Sequence, residues 1–291
     1  MNQRHNINDH ENVKFFDINL YHIFFNYKDR LNMLYPAKIL SLVLLFSCLI
    51  LPTISPAEIQ SLSSSINKAG RQRMLSQRIV ATYSQIGQRI KTEKSKKQLK
   101  KSIELFDKQL IELKIYQPAG KIHDQLNKVD SLWKPMKKIA TAPVNRNNAE
   151  ELREHAEEVL RASHRVVIML QDKYGSEVGE LVNMSGRQRM LSQRLSNLYM
   201  LQSWGFSSSE YSNDYSRAIN EFKGALSELN SSKLNTQEIN KNLNKVRKEF
   251  AMLERSTHKK NGEFIPLMVK MSADKLLKIM NDTTLLYEEL N

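Results

Sequence analysis

The sequence predicts an all-α protein: antiparallel helical bundles built from a tandem duplication, preceded by a signal peptide or membrane anchor. Three observations predict it. One is a nine-residue string, GRQRMLSQR, present at Gly70–Arg78 and again at Gly186–Arg194. Another is composition: nine Gly and seven Pro in 291 residues, many Leu, Lys, Glu, Gln and Ser, and no strand-rich runs. The third is an apolar run, ILSLVLLFSCLIL at 39–51, that stands apart from the rest.

That run comes first in the chain. As a helix its thirteen residues span roughly 20 Å, short of the ~30 Å hydrocarbon core of a bilayer. Pro52 and Pro56 oppose its extension, Lys38 precedes it, and Ser55-Pro56-Ala57 follows it. A basic start, a short apolar core and a small-residue end read as a secretory signal, with cleavage between Ala57 and Glu58. The alternative is an uncleaved anchor at 39–51 holding the protein to the inner membrane. Met33 opens a compact leader, so residues 1–32 read as an upstream extension, either untranslated or lengthening the basic start. Cys48 lies inside the apolar run and away from any lipidation point. No second run of membrane length follows residue 57, so the rest is expected to be periplasmic or otherwise exported.

The exported part is a duplication, with modules expected at 58–175 and 176–291. At the motif's spacing of 116, Ile66-Asn67 matches Val182-Asn183, Tyr83 matches Tyr199, and Phe106, Leu110 and Leu113 match Phe222, Leu226 and Leu229. One inserted residue then pairs Asn127 with Asn244, Trp133 with Phe250 and Met136 with Leu253. Apolar period predicts helices at 59–90, 93–115 and 121–139, with turns at Gln117–Gly120 and Thr141–Asn148. A long helix runs from Ala149 towards Gly205, where Gly175 and Gly179 are candidates to bend or break it. Helices at 210–230, 235–255 and 264–290 complete the second copy.

The motif helix has two faces. At 100° per residue, Leu75, Ile79, Tyr83 and Ile86 fall together as the module's own core side. Ile66, Gly70, Arg73, Met74 and Gln77 fall opposite, with Asn67 and Arg78 flanking. Glycine inside a helix costs about 1 kcal/mol relative to alanine, so Gly70 needs a packing or ligand reason. Arg73, three residues on, presents a planar fork of donors beside that low-relief patch, suited to an anion. The candidate ligand-binding set is therefore Gly70, Arg73, Gln77 and Arg78, with Gly186, Arg189, Gln193 and Arg194 in the second copy. The plain alternative is a solvated arginine and a glycine that only permits tight helix packing.

The stretch Ile66-Asn-Lys-Ala-Gly70-Arg-Gln-Arg73-Met-Leu-Ser-Gln77-Arg78 resembles the signature of the PilJ/NarX-like periplasmic sensor module. That module stands at the N-terminus of type IV pili methyl-accepting chemotaxis transducers and is the input domain of nitrate/nitrite sensor kinases. The resemblance implies antiparallel four-helix bundles whose first helix carries the motif, with the anion between the motif helices of two subunits. It places the family arginine on Arg73 and Arg189, the downstream arginine on Arg78 and Arg194, and the glycine on Gly70 and Gly186. The kinase motif has other residues where this chain has Arg71-Gln72 and Leu75. Here both motifs lie on one polypeptide. The expectation is a pseudo-twofold pair within the chain, the competing arrangement being an extended rod whose sites need a second chain.

Function classes narrow accordingly. The formal net charge of +13 asks for an anionic partner: nucleic acid, a membrane surface or a small anion. Dispersed basic residues, the lack of an aromatic basic platform and export speak against nucleic acid. A single Cys excludes a disulfide scaffold and a Cys-based metal centre. Glu151 and His155, and Glu154 and Glu158, share helical faces, but such charges ordinarily lie in solvent. With no HExxH, GxSxG or P-loop string, neither an enzyme nor a cofactor is expected. What remains is an exported sensor or binding protein for a small nitrate- or nitrite-like anion, working with a separate transmembrane signalling protein. The alternative is an adaptor that docks the same helix faces on a transducer or pilus protein.

Overall fold

Each copy folds as four helices. The computed structural model describes residues 59, 61–117, 119–257 and 263–290. In the first copy α1 spans Leu62–Gly87, α2 Thr92–Tyr116, α3 Gly120–Thr141 and α4 Asn147–Tyr174. In the second, α5 spans Glu177–Ser203, α6 Ser209–Ser231, α7 Gln237–Thr257 and α8 Pro266–Glu288. The apolar run at 39–51 and the expected cleavage point lie outside the described residues. Among the described residues no helix is long and apolar enough to cross a membrane.

Local chemistry sets the boundaries. Ser61 caps α1 by accepting from the Ser64 amide at 3.1 Å, and Ser176 caps α5 by accepting from the Gly179 amide at 3.0 Å. Such caps stabilise a helix by ~1 kcal/mol. The long helix expected from Ala149 to Gly205 is broken at Gly175, whose φ of +41° lies in the left-handed region. Gly179 does not break anything. It sits in the first turn of α5, where a Cβ would stand 3.2 Å from Ile66 Cδ1.

Within the first copy α1 packs against α2 and α4, and α3 against α4. The second repeats this, with α5 against α6 and α8, and α7 against α8. Matching positions carry matching contacts. Phe106 stacks on Trp133 with centroids 4.0 Å apart, and Phe222 on Phe250 at 4.1 Å, as the shifted register predicts. Gln72 donates to the Phe106 carbonyl at 3.3 Å, and Gln188 to that of Phe222 at 3.0 Å. Beside each stack lies an ion pair of opposite sense: Asp107–Lys137 in one copy, Lys223–Glu254 in the other, both at 2.6 Å. The sign has swapped while the pairing has stayed.

The most extensive helix contact joins the copies, α1 against α5. Ile66 lies near Gly179, Arg73 reaches Asn183, and the Trp204 ring lies over Gly87, so the two helices run parallel. The motif helices therefore pair within one chain, and the end-to-end rod is not what this chain forms. Burial on both faces explains their composition. Their small hydroxyls allow close approach and bond to their own backbones: Ser65 to the Leu62 carbonyl at 2.7 Å, Ser76 to that of Arg73 at 2.9 Å, Ser192 to that of Arg189 at 2.8 Å.

Candidate functional site

Where α1 and α5 cross, the motif's second face meets its own copy. The Arg73 and Arg189 guanidiniums both turn into this interface, and the residues are 1% and 0% exposed. Their Nη2 atoms lie over the two glycines. A Cβ on Gly70 would stand 3.1 Å from Arg73 Nη2 and 3.8 Å from Arg189 Nη2. A Cβ on Gly186 would stand 3.0 Å from Arg189 Nη2 and 3.6 Å from Arg73 Nη2. Glycine within each helix thus makes room for two cations in one small space.

The two arginines are held by neutral groups. Arg73 donates through Nη2 to Asn183 Oδ1 at 2.9 Å and to the Asn183 carbonyl at 3.4 Å. Its Nη1 lies 3.0 Å from His164 Nδ1. An arginine can only donate, so His164 Nδ1 accepts and the ring carries its proton on Nε2. Arg189 donates through Nη2 to the Asn67 carbonyl at 3.4 Å and through Nη1 to Asn281 Oδ1 at 3.1 Å. The two Nε–H groups have no partner among the described residues. Among the described residues neither guanidinium has a carboxylate in ion-pair contact. Asn67 donates to a Glu288 carboxylate oxygen, which places that carboxylate one residue away from the pair.

The electrostatics follow from this geometry. Desolvation pulls the Arg73 pKa down to about 9, with the Arg187 charge adding to the effect. Desolvation also holds Arg189 well below the usual arginine value, and Arg71 and Arg73 repel it while Glu288 opposes. His164 is pushed down to about 4, first by desolvation and then by Arg73 and Arg187. It is neutral at pH 7, as its acceptor role requires.

Of the eight residues expected at the site, the structure brings Gly70, Arg73, Gly186 and Arg189 together. Of the other four, Arg78, Gln77 and Arg194 join the copies around them, and Gln193 bonds within its own copy. Arg78 pairs with Asp274 across the copies at 3.6 Å, and Arg194 pairs with Glu157 at 2.8 Å and Asp214 at 3.2 Å. Gln77 donates to Glu157 at 3.2 Å and accepts from Asn197 at 3.0 Å. Gln193 donates to the Ala273 carbonyl at 3.2 Å. Glu151, His155 and Glu158 meet on α4 only as loose ion-pair contacts of 3.5–3.9 Å.

Sequence reasoning missed His164 and Asn281. They stand 91 and 92 residues from the arginines they contact, on the last helix of each copy. The register shifted by one residue does align them, but their types differ, so no identity marks them. Glu157 and Asp274 align in the same way and were missed for the same reason.

The sequence profile of one family, described as type IV pili methyl-accepting chemotaxis transducer N-term (PilJ), matches residues 57–159 and 173–261. The chain belongs to the PilJ family. No curated protein and no solved structure matches it. The PilJ family is a sensory module of chemotaxis transducers and not an enzyme family. The second matched segment starts at the α4–α5 break, as a tandem PilJ-like module requires. The matched segments hold both motif helices but leave out the second half of α4 and all of α8, where His164 and Asn281 lie.

Proposed function

We propose that this chain is an exported, non-enzymatic sensor module that holds a small anion of the nitrate and nitrite class between Arg73 and Arg189. It would report occupancy to a separate transmembrane signalling protein. One observation carries the reading: two fully buried guanidiniums share one space and, among the described residues, have no carboxylate and leave two Nε–H donors unpaired. Buried charge is costly unless paired, and like charges in a low-dielectric interior repel. An anion between them would remove both penalties and accept the free donors. The pair should then be strained when empty and stabilised by ligand. The docking adaptor has less support, since the motif faces it would use are each covered by the other.

Titration calorimetry of residues 58–291 with nitrate and nitrite tests this. A charge-assisted hydrogen bond is worth roughly 1.5–3 kcal/mol, so Arg73→Ala or Arg189→Ala is expected to weaken binding about tenfold or more. Arg71→Ala should do much less, because Arg71 lies in the field of Glu112 and Glu288. Equal losses at Arg71 and Arg73, or no heat from the unaltered protein, would reject the site.

A further inference from the structure

Arg73 can be approached from one side through a cleft of about 430 Å³ between α4, α5 and α6, at whose floor it lies. A water molecule has a share of only about 30 Å³ in the liquid, so this space is far larger than a triatomic or tetratomic anion needs. Its charges do not balance. Arg187 is taken by Glu221 at 2.9 Å, Arg194 by Glu157 and Asp214, Arg153 by Glu210 at 2.7 Å, and Arg217 by Asp214. Every carboxylate in the cleft is thereby engaged. Among the described residues two cations are left over: Arg73, whose buried Nε–H is unpaired, and the exposed Arg161.

Position adds to charge. Arg161 precedes His164 by three residues on α4, ~4.5 Å along the axis, and His164 touches Arg73. His164 uses Nδ1 on Arg73, so its Nε2–H is left to donate, and the ring is exposed in the cleft. The second copy lacks this arrangement. By the shifted register Lys278 stands for Arg161, but Asp282 neutralises it at 3.1 Å, and Asn281 stands for His164. The first copy has Arg165 where the second has Asp282. The positive excess therefore belongs to one side of the duplicated chain.

We propose that this cleft binds a short organic dianion, a dicarboxylate of about four carbons, with one carboxylate on Arg73 and His164 and the other on Arg161. The Arg161 fork matches a carboxylate in two-point contact, and Arg73, whose Nη atoms bond His164 and Asn183, offers its unpaired Nε–H. The cleft shares Arg73 with the guanidinium pair but does not require a small anion to sit between Arg73 and Arg189.

Titration calorimetry of the full-length chain with succinate, acetate and nitrate at constant ionic strength separates the two sites. The unaltered protein is expected to bind succinate at least tenfold more tightly than acetate. Arg161→Gln, at an exposed position, should weaken succinate about tenfold and leave nitrate unchanged. Arg189→Gln should leave succinate binding within about twofold while removing nitrate binding. Absence of succinate binding, acetate binding as tightly as succinate, unchanged succinate affinity in Arg161→Gln, or its loss in Arg189→Gln would each overturn the cleft proposal. The nitrate arm bears only on the small-anion reading, so either can fail alone.

Discussion

At the scale of single residues, Arg189 is the clearest case of a group kept against its own stability. It is wholly buried, bonded only to a carbonyl and an asparagine, and lies beside a second cation. Replacing buried charge by an apolar side chain of similar volume is often neutral or stabilising, by about 1–4 kcal/mol. Arg189→Met is therefore expected to melt at or above the unaltered protein in anion-free buffer and to gain nothing from added nitrate. A lower melting temperature in that buffer would show that the guanidinium is structural. His164 gives a second expectation. Its folded pKa of about 4 lies below the ordinary value near 6.5, so the unfolded chain takes up its proton first. Its contribution is fully present above pH 6.5 and is lost as pH falls from there to 4. His164→Asn copies the second half's Asn281, and its melting temperature should fall less between pH 7 and 4.5. The arginine–glycine set was legible because the motif repeats without change. His164 was not, because its role comes from a helix packed on the motif and not from the motif itself.

At the scale of helices, glycine positions separate contact from mere tolerance. A Cβ on Gly87 would lie 2.1 Å from the Trp204 ring, so α1 and α5 can close at that end only with glycine there. Gly87→Ala is expected to cost about 1–3 kcal/mol, the usual penalty of overpacking, in a denaturant titration. Gly224, inside α6, would meet nothing within 4 Å, and Gly224→Ala should stabilise by up to about 1 kcal/mol. If both changes moved stability the same way, the packing account of Gly87 would fail. The turn after each motif helix shows another divergence. Gly205 takes φ +93° in the second copy, whereas Arg89 takes φ +60° at the matching place in the first. Helix order was legible in the sequence from apolar residues recurring at period 3.6, with α4 and α5 read as one long helix that Gly175 or Gly179 could interrupt. The motif helices were harder, because their second face is buried with serine, glutamine and arginine, residues that a pattern of hydrophobicity counts as outside. The break at Gly175 was one of two candidates, and only the left-handed backbone there decides it.

At the scale of the whole molecule, two ion pairs clasp the copies on opposite sides of the arginine pair, and they are unequal. Arg194–Glu157 is short, 15% and 13% exposed, and shared with Gln77. Arg78–Asp274 is longer at 3.6 Å and more open. Glu157→Ala should cost about 1–3 kcal/mol by leaving buried donors unmet, whereas Arg78→Ala should cost about 0–1 kcal/mol, since Asp274 keeps its bonds to Lys270 and Gln98. Denaturant titrations giving the reverse order would mean that the copies are held together elsewhere. The link between the copies has a mechanical consequence as well. Only Gly175 and Ser176 separate α4 from α5, and a residue reaches at most ~3.6 Å. At the far end of the pair the Trp204 ring rests on Gly87. The start of α5 is thus tied to the end of α4, which packs on α1, and its far end is braced against α1, which leaves little slack for a lengthwise stroke of one motif helix against the other. An anion bound as proposed would then act sideways, as a change in how far the two bundles splay.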